Sequence, residues 1–273
     1  MGTVQSLLLA RSGALRYTEG MAERNSSMDA LILSVKQQGE QNYSVCMLSA
    51  ELGVFYATLY GGAKSKKRAF VQQFNSGRLY LYTDESHHLK KITDFDVKDM
   101  HLSLRTNLYK LWAANLASEI VLKTQCAGDF KNAFILLSAF LDGIDRSTEN
   151  GARLGTLRFL WRYLALLGVQ PDPTSCAHCS SPLQGGTYTG FSNGFLCHDC
   201  SPQSSLTPTE ESLSLSREAL AYLDAINSKS PREVRETPLS TEDALSIKHL
   251  TFRLIEQAAG TRLKSLESGM GIL

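Results

Sequence analysis

Long apolar runs are missing from this chain of 273 residues. Nothing approaches the roughly 18–20 residues that a membrane-spanning helix requires, so no membrane partner is expected. The longest apolar stretch near the start, Leu7 to Ala10, is also shorter than the roughly 7–15 residues of a secretory core. The expectation is an intracellular, soluble protein. Met21 and Met28 are alternative starts, which leaves the place of the first residues open. Cysteine is scarce too: six in the whole chain are too few for a disulfide scaffold. A dominant charge of either sign is lacking, with a net charge of +1 and 20% charged residues against 43% hydrophobic. That balance excludes a disordered chain and leaves an ordinary globular one, long enough for two or three compact units.

The charges that are present fall unevenly. From Leu52 to Thr83 the chain carries Lys64, Lys66, Lys67, Arg68 and Arg78 and no acidic residue. From Ser201 to Ile247 there are eight acidic residues against four basic ones. One face should therefore be positive and the C-terminal part partly acidic.

The pattern of residues divides the chain into five stretches. Residues 1–27 hold no period for long and read as a flexible extension. Residues 28–100 read as strand: Leu31–Val35, Tyr43–Leu48, Val54–Tyr60 and Leu79–Tyr82 are rich in β-branched and aromatic residues, with Gly39-Glu40, Gly53, Gly61-Gly62 and Ser76-Gly77 as turn signals. Four or five short strands in so small a unit favour a closed barrel, which leaves no exposed edge; an OB-type barrel fits, and an SH3-like one would look the same at this level. Residues 101–171 change to a helical period in three apolar stripes, Leu104 to Ile120, Phe130 to Ile144 and Leu157 to Leu167, the last stopped by Gly168 and Pro171. Residues 172–208 form a Cys-, Gly- and Pro-containing insert. Helix resumes over 209–273, with Ser216 as an N-cap between Leu215 and Leu220, Ser240 as a second N-cap, and Gly260 as a stop. The fold class is α+β and multidomain: an N-terminal OB-type barrel, an α-helical domain and an inserted four-cysteine module.

That insert holds the most specific motif. Cys176-Ala-His-Cys179 and Cys197-His-Asp-Cys200 are two C-x2-C pairs separated by 17 residues, a spacing at which two turns supply four thiolates to one zinc ion. Thr187 to Leu196, with Asn193-Gly194 inside it, suits a hairpin between the pairs. A redox pair would need a strand–helix context that is absent here. His178 and His198 lie within the pairs but are spectators once four thiolates complete the shell. Such a closed shell has no position for substrate, and none of the histidines is followed by Glu two residues later, as a zinc deaminase would require. One structural zinc ion is expected. Cys46 and Cys126 read as buried small hydrophobes.

Gly61 to Arg68 follows a strand directly and packs four cations into five residues. These repel one another unless an anion is near, and a nucleic-acid backbone, whose neutralised phosphates release counterions, is the fitting partner. Phe70, Phe74, Tyr80 and Tyr82 read first as core and second as stacking surfaces for single-stranded bases. No phosphate loop, dinucleotide fingerprint or nucleophile–base signature occurs, so no catalytic residue and no enzyme is expected.

The order of barrel, helices, four-cysteine insert and helices resembles the RecO family of bacterial recombination-repair proteins. The resemblance rests on Ala30–Leu33 followed by Gly39–Asn42, on Glu51-Leu-Gly53 followed by Gly61–Lys64 and Lys67-Arg68, on Leu157–Phe159 running through Leu164–Gly168 into Cys176, and on Thr261–Leu266. It spans residues 28 to 268 or so and departs from the family in the N-terminal extension and in a polar linker, Ser201–Thr209.

The resemblance implies a non-enzymatic mediator of DNA repair in the RecF pathway, cytoplasmic and nucleoid-associated in a bacterium. Such a protein binds single- and double-stranded DNA and anneals complementary strands. It works with RecR and with the C-terminal tail of single-stranded-DNA-binding protein to help load RecA, which it touches only indirectly. Lys64, Lys66, Lys67 and Arg68 match the family's basic loop and take a DNA-contact role by that match. Arg78, Lys90, Lys91 and Arg105 join them on charge alone. The family's pocket for the acidic tail lies among the helices, at residues the sequence does not identify. The alternative is a zinc-containing protein–protein adaptor with incidental DNA contact.

Overall fold

A computed structural model describes residues 24–61, 66–201 and 212–269. Its first unit is built from five strands: β1 (Asn25–Gln38), β2 (Asn42–Ser49), β3 (Gly53–Leu59), β4 (Ser76–Asp84) and β5 (Leu89–Asp99). They close in the order β1-β2-β3-β5-β4, with β4 returning to β1, as an OB-type barrel does. Closure falls to β1, whose first half pairs with β4 and whose second half pairs with β2; a register shift between Ile32 and Ser34 lets it bend from one partner to the other. The β3–β5 seam is parallel and short, with Thr58 opposite Lys91.

Strand alternation sends Ala30, Ile32, Val45, Met47, Phe55, Ala57, Leu59, Leu79, Leu81, Ile92 and Phe95 into the barrel. On β1 and β2 the opposite face is buried as well. Leu31, Leu33, Cys46 and Leu48 belong to the helical core. Two buried faces explain why Ala30–Leu33 reads as an unbroken apolar run rather than an alternating one.

The helical part comprises α1 (Leu108–Thr124), α2 (Phe130–Arg146), α3 (Glu149–Leu166), α4 (Arg217–Ser228), α5 (Pro231–Glu236), α6 (Thr241–Ala259) and α7 (Lys264–Ser268). Ser216 and Ser240 cap α4 and α6 through their hydroxyls, and Gly260 ends α6 with φ of 62°, as the sequence leads one to expect. Helix α3 is central: Ala152, Leu160, Trp161, Tyr163 and Leu164 are all fully buried. The four-cysteine segment contributes β6 (Gly186–Thr189) and β7 (Gly194–Leu196), joined by a third strand, β8 (Leu213–Leu215), in the order β7-β6-β8. Its inner face, with Tyr188 and Phe195 in edge contact at 5.9 Å, is continuous with the helical core.

Barrel and helices are riveted at several points. His101, buried and at φ of 45°, donates from Nδ1 to the Phe74 carbonyl at 2.7 Å, while its Nε2 lies 2.7 Å from Asp142 on α2. Gly53 sits so close to the Phe130 ring that a Cβ there would lie 2.6 Å from it. Within the helical part, Lys110 of α1, also buried, donates to the Ser103 hydroxyl and to the Asp145 carbonyl of α2, each at 3.0 Å.

Three sequence expectations need correction. β1 begins at Asn25, so the polar residues 25–27 belong to the barrel rather than to an extension: they pair with Tyr82, Leu81 and Tyr80 of β4. The hairpin between the cysteine pairs turns through four residues, since Thr189 pairs with Gly194, instead of through a two-residue Asn-Gly turn. Leu213–Leu215, read as part of the resumed helical stretch, is strand β8 and pairs with β6, so the sheet of the four-cysteine module draws on residues past 208.

Candidate nucleic-acid interface and metal centre

The sulfurs of Cys176, Cys179, Cys197 and Cys200 all lie within 4.8 Å of one another. Backbone bonds set this arrangement: Cys176 N–H donates to the Ser181 carbonyl at 2.9 Å, and Ala177 N–H donates to Phe195 O at 2.8 Å, which ties the first turn to β7. Cys179 and Cys197 sulfurs are 3.7 Å apart. A tetrahedral ion with metal–sulfur bonds of about 2.3 Å has sulfur–sulfur edges of about 3.8 Å, so the spacing fits. The electrostatics fit too. The Cys179 and Cys197 N–H groups aim at the Cys176 sulfur and hold its thiol down at about 6, whereas the crowding sulfurs of Cys179 and Cys197 push Cys200 up to about 12. Four thiolates this close need a cation among them. The four cysteines can hold a metal ion.

On the barrel, the basic segment forms a 3-10 turn over Lys66–Ala69, between β3 and β4. Lys64 lies outside the described residues. Lys66 is exposed, Lys67 donates its ammonium to the Thr93 carbonyl of β5, and Arg68 stacks its guanidinium 4.8 Å above the Tyr43 ring of β2. Lys91, outward on β5, places its ammonium 5.4 Å over the ring of Tyr60. None of these four has a carboxylate within 4.0 Å among the described residues. Lys90 precedes Lys91 on the strand and falls on the alternate face.

The other two cations are engaged elsewhere. Arg78 on β4 lies 3.5 Å from Asp29 and donates to the Ser27 carbonyl and hydroxyl. Arg105 donates to Met100 O, Gln73 O and Asn75 Oδ1, which makes it a fastener between barrel and helices. The aromatics divide similarly. Phe74 is core at 2% exposure, while Phe70 and Tyr80 are exposed and Tyr82 is half-buried. Asp96 beside the Tyr80 hydroxyl pushes that phenol up, which marks this end of the face as acidic. Tyr60, overlooked in the sequence as one more strand aromatic, is exposed beside Lys91. At the β4–β5 turn, Ser86, His87 and Asp84 lie together, but both contacts meet the same ring nitrogen, Nδ1. A nucleophile–base relay needs one contact on each nitrogen, so this is a turn cap.

The helical part holds a groove of about 300 Å³ that the sequence reading missed. Phe140 and Phe159, stacked at 4.4 Å, with Ile144 and Leu154 form its apolar wall between α2 and α3. Gly143 opens it, since a Cβ there would meet nothing within 4 Å. Arg158 and Arg162 of α3 and Arg235 of α5 line it, and no acidic residue does. Burial first, then Arg158 nearby, lowers the pKa of Arg162 from its ordinary value. The missed signal was Ser230-Pro-Arg-Glu233, a capping box with proline at the first helical position, which starts the helix that carries Arg235.

Comparison with known proteins agrees with this architecture. The family model described as Recombination protein O N terminal matches residues 21–101, and the one described as Recombination protein O C terminal matches residues 105–267. Among curated relatives, a protein of Exiguobacterium sp. is 27% identical over 239 residues, covering 86% of this chain and 91% of its own length. One from Synechococcus sp. is 26% identical over 243 residues, with 84% and 83% covered. One from Syntrophotalea carbinolica is 26% identical over 181 residues, with 64% and 69% covered. All three carry the name DNA repair protein RecO. With both family models covering barrel and helices in the order in which the fold presents them, this chain belongs to the RecO family of DNA repair proteins.

Proposed function

We propose that this protein is a recombination mediator of the RecF pathway. It binds single- and double-stranded DNA and anneals complementary strands. With RecR, it helps load RecA onto DNA coated by single-stranded-DNA-binding protein. The observation that carries this reading is a pair of cationic sites without carboxylate partners among the described residues, one on each part of the molecule. Lys66, Lys67, Arg68 and Lys91 meet phosphates on the barrel, with Lys64 beside them in sequence. Arg158, Arg162 and Arg235 meet a second anion in the helical groove.

Annealing needs no bond-making residue. A basic surface that holds two strands lowers their mutual phosphate repulsion, and base pairing drives the rest. The groove has the opposite design: an apolar wall for a bulky side chain and guanidinium groups for carboxylates. That combination suits the acidic C-terminal tail of single-stranded-DNA-binding protein, which would bring the barrel to coated DNA. Zinc is the ion that the four thiolates suit. Held by Cys176, Cys179, Cys197 and Cys200 it would clamp the two turns together, and a complete thiolate shell leaves it no open position for substrate.

The test is the annealing rate of complementary oligonucleotides, bare and then coated with the cognate single-strand binder, across a salt series. Acceleration in both cases that fades as salt rises is expected. No acceleration on either substrate, with the protein folded and metal-loaded, overturns the reading in favour of a protein–protein adaptor.

A further inference from the structure

The barrel's outer face holds a notch whose chemistry is not that of a phosphate site. Its walls are Tyr60, just past the end of β3, and Tyr82 on β4; Leu89, Lys91 and Thr93 of β5 form the floor between them. It encloses about 360 Å³. Both flanking strands pair with β5, which sets them about two strand spacings apart, roughly 9–10 Å. A planar ring fits between side chains that far apart. Tyr60 is 41% exposed, and neither tyrosine hydroxyl has a hydrogen-bond partner among the described residues, so these rings face solvent without serving the barrel core. Two cations reach the notch. Lys91 lies over Tyr60, and Lys67 of the basic turn is bonded to the Thr93 carbonyl in the floor. No carboxylate lines it.

Aromatic walls, an adjacent cation and an anchored basic turn match an aromatic ring carried on a phosphate chain. We infer that this notch takes one unpaired nucleobase of a single DNA strand, stacked on Tyr60 and Tyr82 while Lys67 and Lys91 hold the flanking phosphates. The inference rests on the DNA-binding reading above and adds to it a source of strand discrimination. Duplex DNA keeps its bases stacked inside and offers the notch nothing, whereas a single strand offers a base at every step. The contact exists before pairing and is lost on pairing. The product duplex is then held by phosphate contacts alone and leaves more readily than either strand that entered.

The experiment compares the full chain with two double variants, Tyr60→Ala with Tyr82→Ala and Tyr60→Phe with Tyr82→Phe. Each is titrated against a labelled single strand and against a duplex of equal length across a salt series, with thermal melting as the folding control. The alanine pair is expected to lose about tenfold in single-strand affinity, with duplex affinity and the salt slope unchanged, because stacking releases no counterions. The phenylalanine pair retains binding, and quenching of a 2-aminopurine base in the single strand is seen with it and lost with the alanine pair. Equal losses on single strand and duplex, or no loss on either, overturn the notch. A parent protein that binds neither substrate overturns the DNA-binding reading as well, whereas a parent that binds and anneals beside an unaltered alanine pair overturns the notch alone.

Discussion

The barrel and the helical part gather positive charge in two contrasting ways. On the barrel the cations are mostly at the surface, on a turn and a strand, and two of them lie over tyrosine rings rather than against acids. In the helices, Arg158 and Arg162 are half-buried beside an apolar wall, and neither they nor Arg235 has a carboxylate within 4.0 Å among the described residues. Exposed cations suit a long polyanion, since each phosphate contact is weak, interchangeable and sensitive to salt. Half-buried guanidinium groups beside an apolar hole suit one short ligand of defined shape, since desolvation makes each contact stronger and less forgiving. On the proposed function, depth of burial separates a site for any sequence from a site for one particular chain end.

The largest expected effect tests whether the metal centre belongs to the helical side of this contrast. The inner face of the four-cysteine module lies in the same core as the helices, with Tyr188 and Phe195 fully buried. Cys176→Ser, or chelation of the metal, is expected to cost on the order of 3–5 kcal/mol and to lower Tm by about 10 °C or more. Calorimetry, with a colorimetric assay for released zinc, reads both. A protein that melts unchanged after chelation would detach the module from the helical core.

The groove comes next. Gly143→Leu is expected to fill the opening and lower affinity for an acidic tail peptide more than tenfold. Tm should be unchanged or raised, since glycine costs about 0.5–1 kcal/mol inside a helix. Arg162→Ala should cost on the order of 2–3 kcal/mol of the same binding. Fluorescence anisotropy of the labelled peptide checks both variants, and DNA binding by the barrel should be unaffected. Loss of DNA and peptide binding together would merge the two sites that the comparison separates.

The barrel's turn responds differently. Replacing Lys66, Lys67 and Arg68 by alanine is expected to lower the salt slope of single-strand binding by about 2, equally for all sequences. A variant that loses affinity with the slope intact would place these residues away from phosphates.

Much of this was legible in the residues, for identifiable reasons. The strands β1 to β4, the three apolar stripes, the caps Ser216 and Ser240 and the four-cysteine cluster each depend on a local pattern that tertiary contacts reinforce. What stayed hidden depends on contacts distant in sequence. β5 carries six charged residues among eleven, outnumbering Leu89, Ile92, Phe95 and Val97, so its barrel face disappears among its outward charges. Tyr60 and Tyr82 look like core aromatics until closure of the barrel brings them to either side of β5. The groove requires three helices, one of them only six residues long. Between α1 and α2, Gln125, Cys126 and Ala127 all adopt left-handed conformations at φ of 50°, 58° and 48°, which nothing but Gly128 signals in the sequence.

The smallest expected effects are the most discriminating, because they concern cations that charge alone cannot sort. Arg78, Arg105 and the turn residues look alike in the sequence. In the structure Arg78 faces Asp29 and Ser27, and Arg105 spends its guanidinium on two carbonyls and the Asn75 side chain. An arginine held by an acid or by three acceptors releases few counterions on meeting a phosphate, because it must first give up those partners, whereas the Lys67 ammonium, bonded to one carbonyl, keeps two donors for a phosphate. Arg78→Ala is therefore expected to change the salt slope by less than about 0.3 and stability by no more than about 0.5 kcal/mol, as for an exposed ion pair. Arg105→Ala should likewise leave the slope alone but cost about 1–2 kcal/mol in denaturant unfolding, since Asn75, which is buried, loses a charged donor. A slope that falls by about 0.7 for either variant would mean that the residue leaves its partners for DNA, and the barrel's phosphate track would then extend from the turn across β4 to the junction with the helices.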